Sequence, residues 1–196
     1  MSPRTAEQNQ VLREETRSSI RQAAFPLFAR QGFTQTPVSA IAEEAGISKG
    51  LIYHYFDSKE AILESIFEEL AAMSDQAMDF PDHLPPAGRF VYMIEMIFGF
   101  IREETETMRL LIGLSLQPEA LRTLKPAIDR YNKQQMTILK ELLEELGHDD
   151  AETEAYFLGA QLDGFAMGCI SMGEEYPLET MKEKVIRRYV PDHTTS

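Results

Sequence analysis

Little in this chain could bind a metal, close a disulfide or cross a bilayer. One cysteine, Cys169, stands among 196 residues, so no disulfide can form within the chain, and its apolar, small-residue surroundings predict packing rather than reactivity. The four histidines, His54, His83, His148 and His193, are scattered without helical pairing, so no metal site is expected. No apolar run reaches the roughly 18 residues of a membrane span; Phe90–Ile101 is interrupted by Glu95. The polar stretch Met1–Arg13 does not read as an export signal, which predicts a cytoplasmic chain with no membrane partner. A phosphate loop and a Cys/His arrangement are missing too; an enzyme is not expected, nor any cofactor. Strand alternation, internal repeats and low-complexity tracts do not occur, and the pattern is helical throughout.

Positive charge is also scarce. The net charge of −13 argues against a general affinity for nucleic acid. Residues 1–59, however, hold seven Lys and Arg against six Asp and Glu, while residues 60–196 hold twelve against twenty-six. The acidity therefore lies outside the segment that carries the strongest motif. A DNA-binder of this kind must rely on specific phosphate contacts and paired half-sites rather than on a diffuse basic surface.

That segment is residues 36–60. Thr36 reads as an N-cap and Pro37 as a first helical residue. Val38, Ile41, Ala42 and Ala45 then form one apolar stripe, with Glu43 and Glu44 on the solvated side. Gly46 suits the left-handed position that ends a helix, Ile47 can return to the core, and Ser48 can cap a second helix running to about Phe56. Ile52 and Phe56 form its buried side, which leaves Lys49, Gly50, Leu51, Tyr53, His54 and Tyr55 facing outward. Leu51 suits a thymine methyl, Gly50 permits close backbone approach, and Lys59 opens the next helix where it could meet a phosphate. This is a helix-turn-helix pattern, which predicts duplex DNA as partner. Two short helices around a glycine also occur in other all-helical proteins, and Tyr53–Phe56 could form an aromatic core corner.

Gly32-Phe33-x-x-Thr36, Ile41-Ala42-x-x-Ala45-Gly46-Ile47-Ser48-Lys49-Gly50 and Ile52-Tyr53-x-Tyr55-Phe56-x-x-Lys59 resemble the signature of the tetracycline-repressor (TetR) family. The resemblance implies an all-α dimeric transcriptional regulator, usually a repressor, with a DNA-binding domain at residues 12–58 and a ligand-binding and dimerisation domain at 59–196. It places Lys49, Gly50, Leu51, Tyr53, His54, Tyr55 and Lys59 at the DNA, with Tyr53 and Lys59 on phosphates. Thr36, Ser39 and Ser48 complete the expected DNA face. Leu51 departs from the small or hydroxyl residues common there.

Further along, Ile20, Ala23, Ala24, Leu27 and Phe28 predict a supporting helix before Gly32, with Pro26 inside it. A helix over 58–78 follows, then a break from Phe80 to Gly88, then helices at about 88–104, 105–116, 119–147, 151–173 and 177–190. The stretch Arg89–Glu104 is apolar nearly all round and should be enclosed. In 119–147 one stripe holds Met136, Leu139, Leu143 and Leu146, and a second holds Tyr131, Ile138 and Leu142. Ala160, Gly164 and Gly168 recur every four residues, a smooth strip that fits either packing within one subunit or a dimer. The resemblance favours a homodimer interface at Tyr131, Ile138, Leu142, Ala160, Gly164 and Gly168, which would present two half-sites about 34–36 Å apart. It also implies an apolar pocket for a small lipophilic effector, with Met93, Ile97, Phe100, Met108, Leu111, Phe157, Gln161 and Phe165 as candidate walls. Polar handles there would be Glu95, Glu103, Gln117, Gln161 and Asp163. The competing reading is a helical small-molecule-binding protein without regulatory DNA binding.

Overall fold

In the computed structural model the described residues are 6–75, 79–81 and 83–191. Met78, Asp82 and His193, each part of a sequence expectation, lie outside them. The described residues form helices α1 (Ala6–Gln31), α2 (Val38–Glu44), α3 (Lys49–Tyr55), α4 (Lys59–Asp75), α5 (Pro86–Glu103), α6 (Thr105–Ser115), α7 (Pro118–Glu145), α8 (Ala151–Met172) and α9 (Leu178–Tyr189), with a 3₁₀ turn at Gly173–Glu175. None of these helices is long and apolar enough to cross a membrane.

Two compact units share the chain. The first comprises residues up to Leu70 together with Leu110–Ala127, and the second Ala71–Arg109 and Ile128–Ser196. This differs from a division at 58/59. The start of α4 buries Ile62, Leu63 and Ile66 alongside the core of α1–α3, and the end of α6 and start of α7 bury Leu114, Ala120 and Leu124. Helices α4, α6 and α7 therefore each have residues in both units.

In the first unit, Ile20, Ala24 and Phe28 of α1 are fully buried, and Phe33 meets the Phe28 ring edge-on with centroids 5.1 Å apart. Arg21 is buried too and ties α1 to α4 through Glu69 and Ser65. Gly32, at φ +97°, turns the chain out of α1 through a conformation that a side chain would strain.

In the second unit, Phe90, Met93, Ile94 and Phe98 of α5 pack with Leu139, Leu142 and Leu143 of α7, Ala155 and Leu158 of α8, and Val185, Ile186 and Tyr189 of α9. A smaller cluster joins Ile101, Ala166 and Cys169, flanked by Ile97, Met108, Phe165 and Tyr176. Helix α5 is not enclosed all round, because Met96 and Glu95 are exposed. Its apolar residues exceed what one buried face can cover.

Candidate nucleic-acid interface

The turn between α2 and α3 follows from Gly46. At φ +67° it lets its own N–H reach the Glu43 carbonyl (3.1 Å) and the Ile47 N–H reach the Ala42 carbonyl (2.9 Å), closing α2 with paired bonds. Ser48 then caps α3, its Oγ accepting from Leu51 N–H at 3.2 Å. Ile52 and Phe56 are buried, so the opposite face is turned outward by geometry alone. There Ser48, Lys49, Gly50 and His54 are exposed and Tyr55 is half-buried, and Ser39 of α2 is exposed as well. Leu51 is 37% and Tyr53 49% exposed. The Lys49 ammonium lies 6.0 Å from the Tyr53 ring centroid.

Two expected members of this face are used elsewhere. Thr36 is fully buried and does not cap α2, which starts one residue later behind Pro37. Its hydroxyl donates to the carbonyls of Gly32 (2.8 Å) and Leu27 (3.2 Å), closing the end of α1 instead. Lys59 donates to the carbonyls of Phe33 (2.7 Å), Thr34 (3.2 Å) and Thr36 (3.2 Å). An ammonium has three N–H donors, so all are engaged and none is left for a phosphate in this state.

Two cations that sequence reading missed flank α3. Arg17 donates from Nη1 to the Tyr55 carbonyl at 2.7 Å and lies 4.2 Å from the Phe56 ring centroid, placing positive charge at the C-terminal end of the helix dipole. The exposed Arg13 sits 5.7 Å from the Tyr55 ring centroid. The signal was present in the four-residue spacing of Arg13, Arg17 and Arg21, which puts all three on one side of α1.

Two runs carry the spacing of enzyme motifs. Gly46-Ile47-Ser48-Lys49-Gly50 has that of a hydrolase elbow, and Glu145 and His148 that of a metal-ligand pair. Ser48 lies between two helices rather than after a strand, and its hydroxyl caps α3. Glu145 pairs with Arg89, and the His148 ring packs on Tyr189 with centroids 5.4 Å apart.

The expected pocket walls disperse. Met93 is fully buried in the main cluster of the second unit. Ile97, Met108 and Phe165 border the smaller cluster, with Phe165 5.4 Å from the Phe98 ring, while Phe100 is half-buried. Leu111 belongs to the first unit. Phe157 is 46% exposed beneath the Arg188 guanidinium, 5.1 Å from its ring centroid, because its position on α8 points away from the core. Among the handles, Glu95 is paired with Lys182, Glu103 is exposed beside Arg102, and Gln117 belongs to the first unit. Burial raises the Asp163 carboxyl above its ordinary range. Gln161 Oε1 is buried without a hydrogen-bond partner.

Two expected interface residues are also placed inside the subunit. Leu142 is buried in the core, and Gly168 lies under the Tyr176 ring, which an added Cβ would overlap. Gly159 of α8 faces Met136 of α7, whose Cε lies 3.8 Å from where a Cβ would stand, an ordinary van der Waals distance. Tyr131 and Ile138 are half-buried, while Ala160 and Gly164 are exposed on the same side of α8 as Tyr156 and Met167, which are 63% and 47% exposed.

Buried anchors on one side of α3 and exposed Leu51 and Tyr53 on the other make this a helix-turn-helix whose second helix has an open outer face. The family described as bacterial regulatory proteins, tetR family, matches residues 20–66, which include all of α2 and α3. The chain is similar to the HTH-type transcriptional regulator TtgR of Pseudomonas putida, 29% identical over 100 residues covering 50% of this chain and 48% of that protein. It is also similar to the HTH-type transcriptional regulator BetI of Escherichia coli (strain K12), 25% identical over 170 residues covering 83% and 85%. A solved transcriptional regulator from Rhodococcus sp. RHA1 shares the fold, with TM-score 0.73 and 20% identity over 88% of this chain and 93% of that one. The chain spans about half the length of several curated relatives it matches, TtgR among them. The match to the TetR family thus lies over residues 20–66.

Proposed function

We propose that the protein is a ligand-responsive transcriptional regulator, a repressor, which acts in the cytoplasm as a homodimer on a palindromic DNA operator and is released by a small lipophilic effector. The observation that carries this reading is the outward face of α3: Leu51, Tyr53, Lys49 and His54 project from a short helix held from behind by Ile52 and Phe56. A surface with an exposed leucine and tyrosine between polar groups suits the major groove, where methyl and hydrogen-bonding edges alternate. Ser39 of α2 and Arg13 of α1 extend it as phosphate contacts. With net charge −13 the chain is repelled by DNA at long range, so a single short helix needs a second copy to bind tightly.

The exposed line Tyr156, Ala160, Gly164 and Met167 on α8 supports a dimer formed through that face, with Tyr131 and Ile138 contributing from α7. For the effector, the unpartnered Gln161 Oε1 stands one helical turn before Phe165, which borders the smaller apolar cluster. A buried acceptor without a donor costs about 1–3 kcal/mol, which a ligand bearing an N–H or O–H would recover. A neutral or cationic lipophilic molecule with one such donor fits best.

Selection of bound duplexes from a random DNA pool tests the reading. Enrichment of a palindrome with half-sites one helical turn apart is the expected result. Failure to enrich any sequence would favour a small-molecule-binding protein without DNA function.

A further inference from the structure

Gln117 lies in the turn between α6 and α7, 84 residues from Phe33, yet its side chain is built into the exit from α1. Its Oε1 accepts the Phe33 N–H at 2.7 Å. Its Nε2 faces the carbonyls of Phe28 (3.0 Å), Gly113 (3.2 Å) and Ala29 (3.4 Å). The last carbonyls of a helix lack backbone donors, and Gly32 turns the chain away before Phe33 can supply one to Ala29. The Gln117 amide gives the first N–H beyond the turn its acceptor and adds a donor at the Ala29 carbonyl and at the Phe28 carbonyl, which already receives the Gly32 N–H at 3.1 Å.

The same residue, Phe33, is held from its other side. Its carbonyl receives the shortest of the Lys59 contacts, and its ring lies 4.6 Å from the Lys59 ammonium. Lys59 also holds the Thr36 carbonyl, next to Pro37, where α2 begins. Gln117, Phe33 and Lys59 thus form one hydrogen-bonded chain from the α6–α7 turn to the first residues of α2 and α4. Both helices that meet at Gln117 continue into the second unit, α6 through Thr105–Arg109 and α7 through Ile128–Glu145.

We propose that Gln117 is a positioning residue for the DNA face, which fixes the 32–36 turn through Phe33 and passes any displacement of the α6–α7 turn to Lys59 and α2. This rests on the DNA-binding reading above. Displacing the turn would break the Phe33 bond and loosen the support of α2 and α3 without touching a base or phosphate. The effector unit would thereby act on DNA affinity through a side-chain amide.

The test uses the full chain and the duplex recovered by selection. In Gln117→Ala the Phe33 amide should exchange with solvent at least about tenfold faster, and operator affinity should fall about tenfold with the salt slope unchanged. Combined with Lys59→Met, the loss should be clearly smaller than the product of the two single losses, because both act on Phe33. Gln117→Glu keeps the acceptor but sets a carboxylate against the Phe28 and Ala29 carbonyls, so it should retain protection of Phe33 better than Ala while still weakening binding. It also serves if the Ala variant melts too early to assay. Faster Phe33 exchange with unchanged operator affinity, or single effects that multiply independently, would overturn the proposal while leaving the DNA reading intact. A parent chain that enriches no duplex would overturn the DNA reading itself, and the exchange measurement would then report only a structural clamp.

Discussion

Replacing Lys59 by Met separates two roles that a cation at the start of α4 could play. The ammonium contacts three carbonyls at 2.7, 3.2 and 3.2 Å and the Phe33 ring at 4.6 Å. A hydrogen bond to a charged group contributes about 1.5–3 kcal/mol, and an exposed cation–ring contact about 0.5–1 kcal/mol. Lys59 is half-buried and Thr34 is exposed, so water would replace part of what is lost. A net destabilisation of about 2 kcal/mol follows, a fall in melting temperature of roughly 4–8 °C for a chain of this size. Operator affinity should drop at every salt concentration, because α2 and α4 lose their common support. The slope of log affinity against log salt should not change, since no phosphate contact is removed. A lysine on a phosphate would instead make the slope shallower by about 0.9 and leave the melting temperature nearly unaltered. Fluorescence titration at several salt concentrations, alongside a thermal melt, reads both. A shallower slope with unchanged melting would refute the carbonyl clamp and restore the phosphate role.

Gly164→Leu should meet no clash within the subunit at the added Cβ, which has nothing within 4 Å, yet shift sedimentation from dimer to monomer. Gly168→Ala should do the reverse, destabilising the subunit by about 1–3 kcal/mol as the Cβ displaces the Tyr176 ring, with dimerisation retained. The Tyr189 hydroxyl is pushed from 10.0 up to about 12 by burial and by its bond to Glu154. The neutral form is therefore favoured in the folded state: its contribution is complete below pH 10 and lost as pH rises towards 12. Tyr189→Phe has no proton to lose, so its melting temperature should decline less steeply over that alkaline interval.

What was legible in the sequence was local. Gly46, Ser48 and the Ile52/Phe56 pair act within a few residues of themselves, and their spacing sufficed to place the turn, the cap and the outward face of α3. Lys59 and Thr36 occupied the right positions for a phosphate contact and a cap, but their partners are carbonyls brought together only when the chain turns back at Gly32. Gln117 reads as one more polar side chain near apolar helices, and nothing near it announces a partner in α1. On α7 and α8 periodicity marked apolar and small residues correctly without saying which stripe faces inward. Leu142 and Gly168 are taken by the subunit's own core and by Tyr176, whereas Ala160 and Gly164 remain outside. The fold class was therefore readable from caps and periodicity, while the division of α4, α6 and α7 between two units depends on long-range packing.

The most direct test of α3 as the reading helix is to repeat the duplex selection with Leu51→Ala. If Leu51 packs against a base edge in each half-site, the recovered consensus should keep its length and symmetry but lose preference at one pair of symmetry-related positions, by about 1–3 kcal/mol each. A consensus unchanged at every position, from a variant that melts like the parent, would contradict the assignment of sequence recognition to this helix.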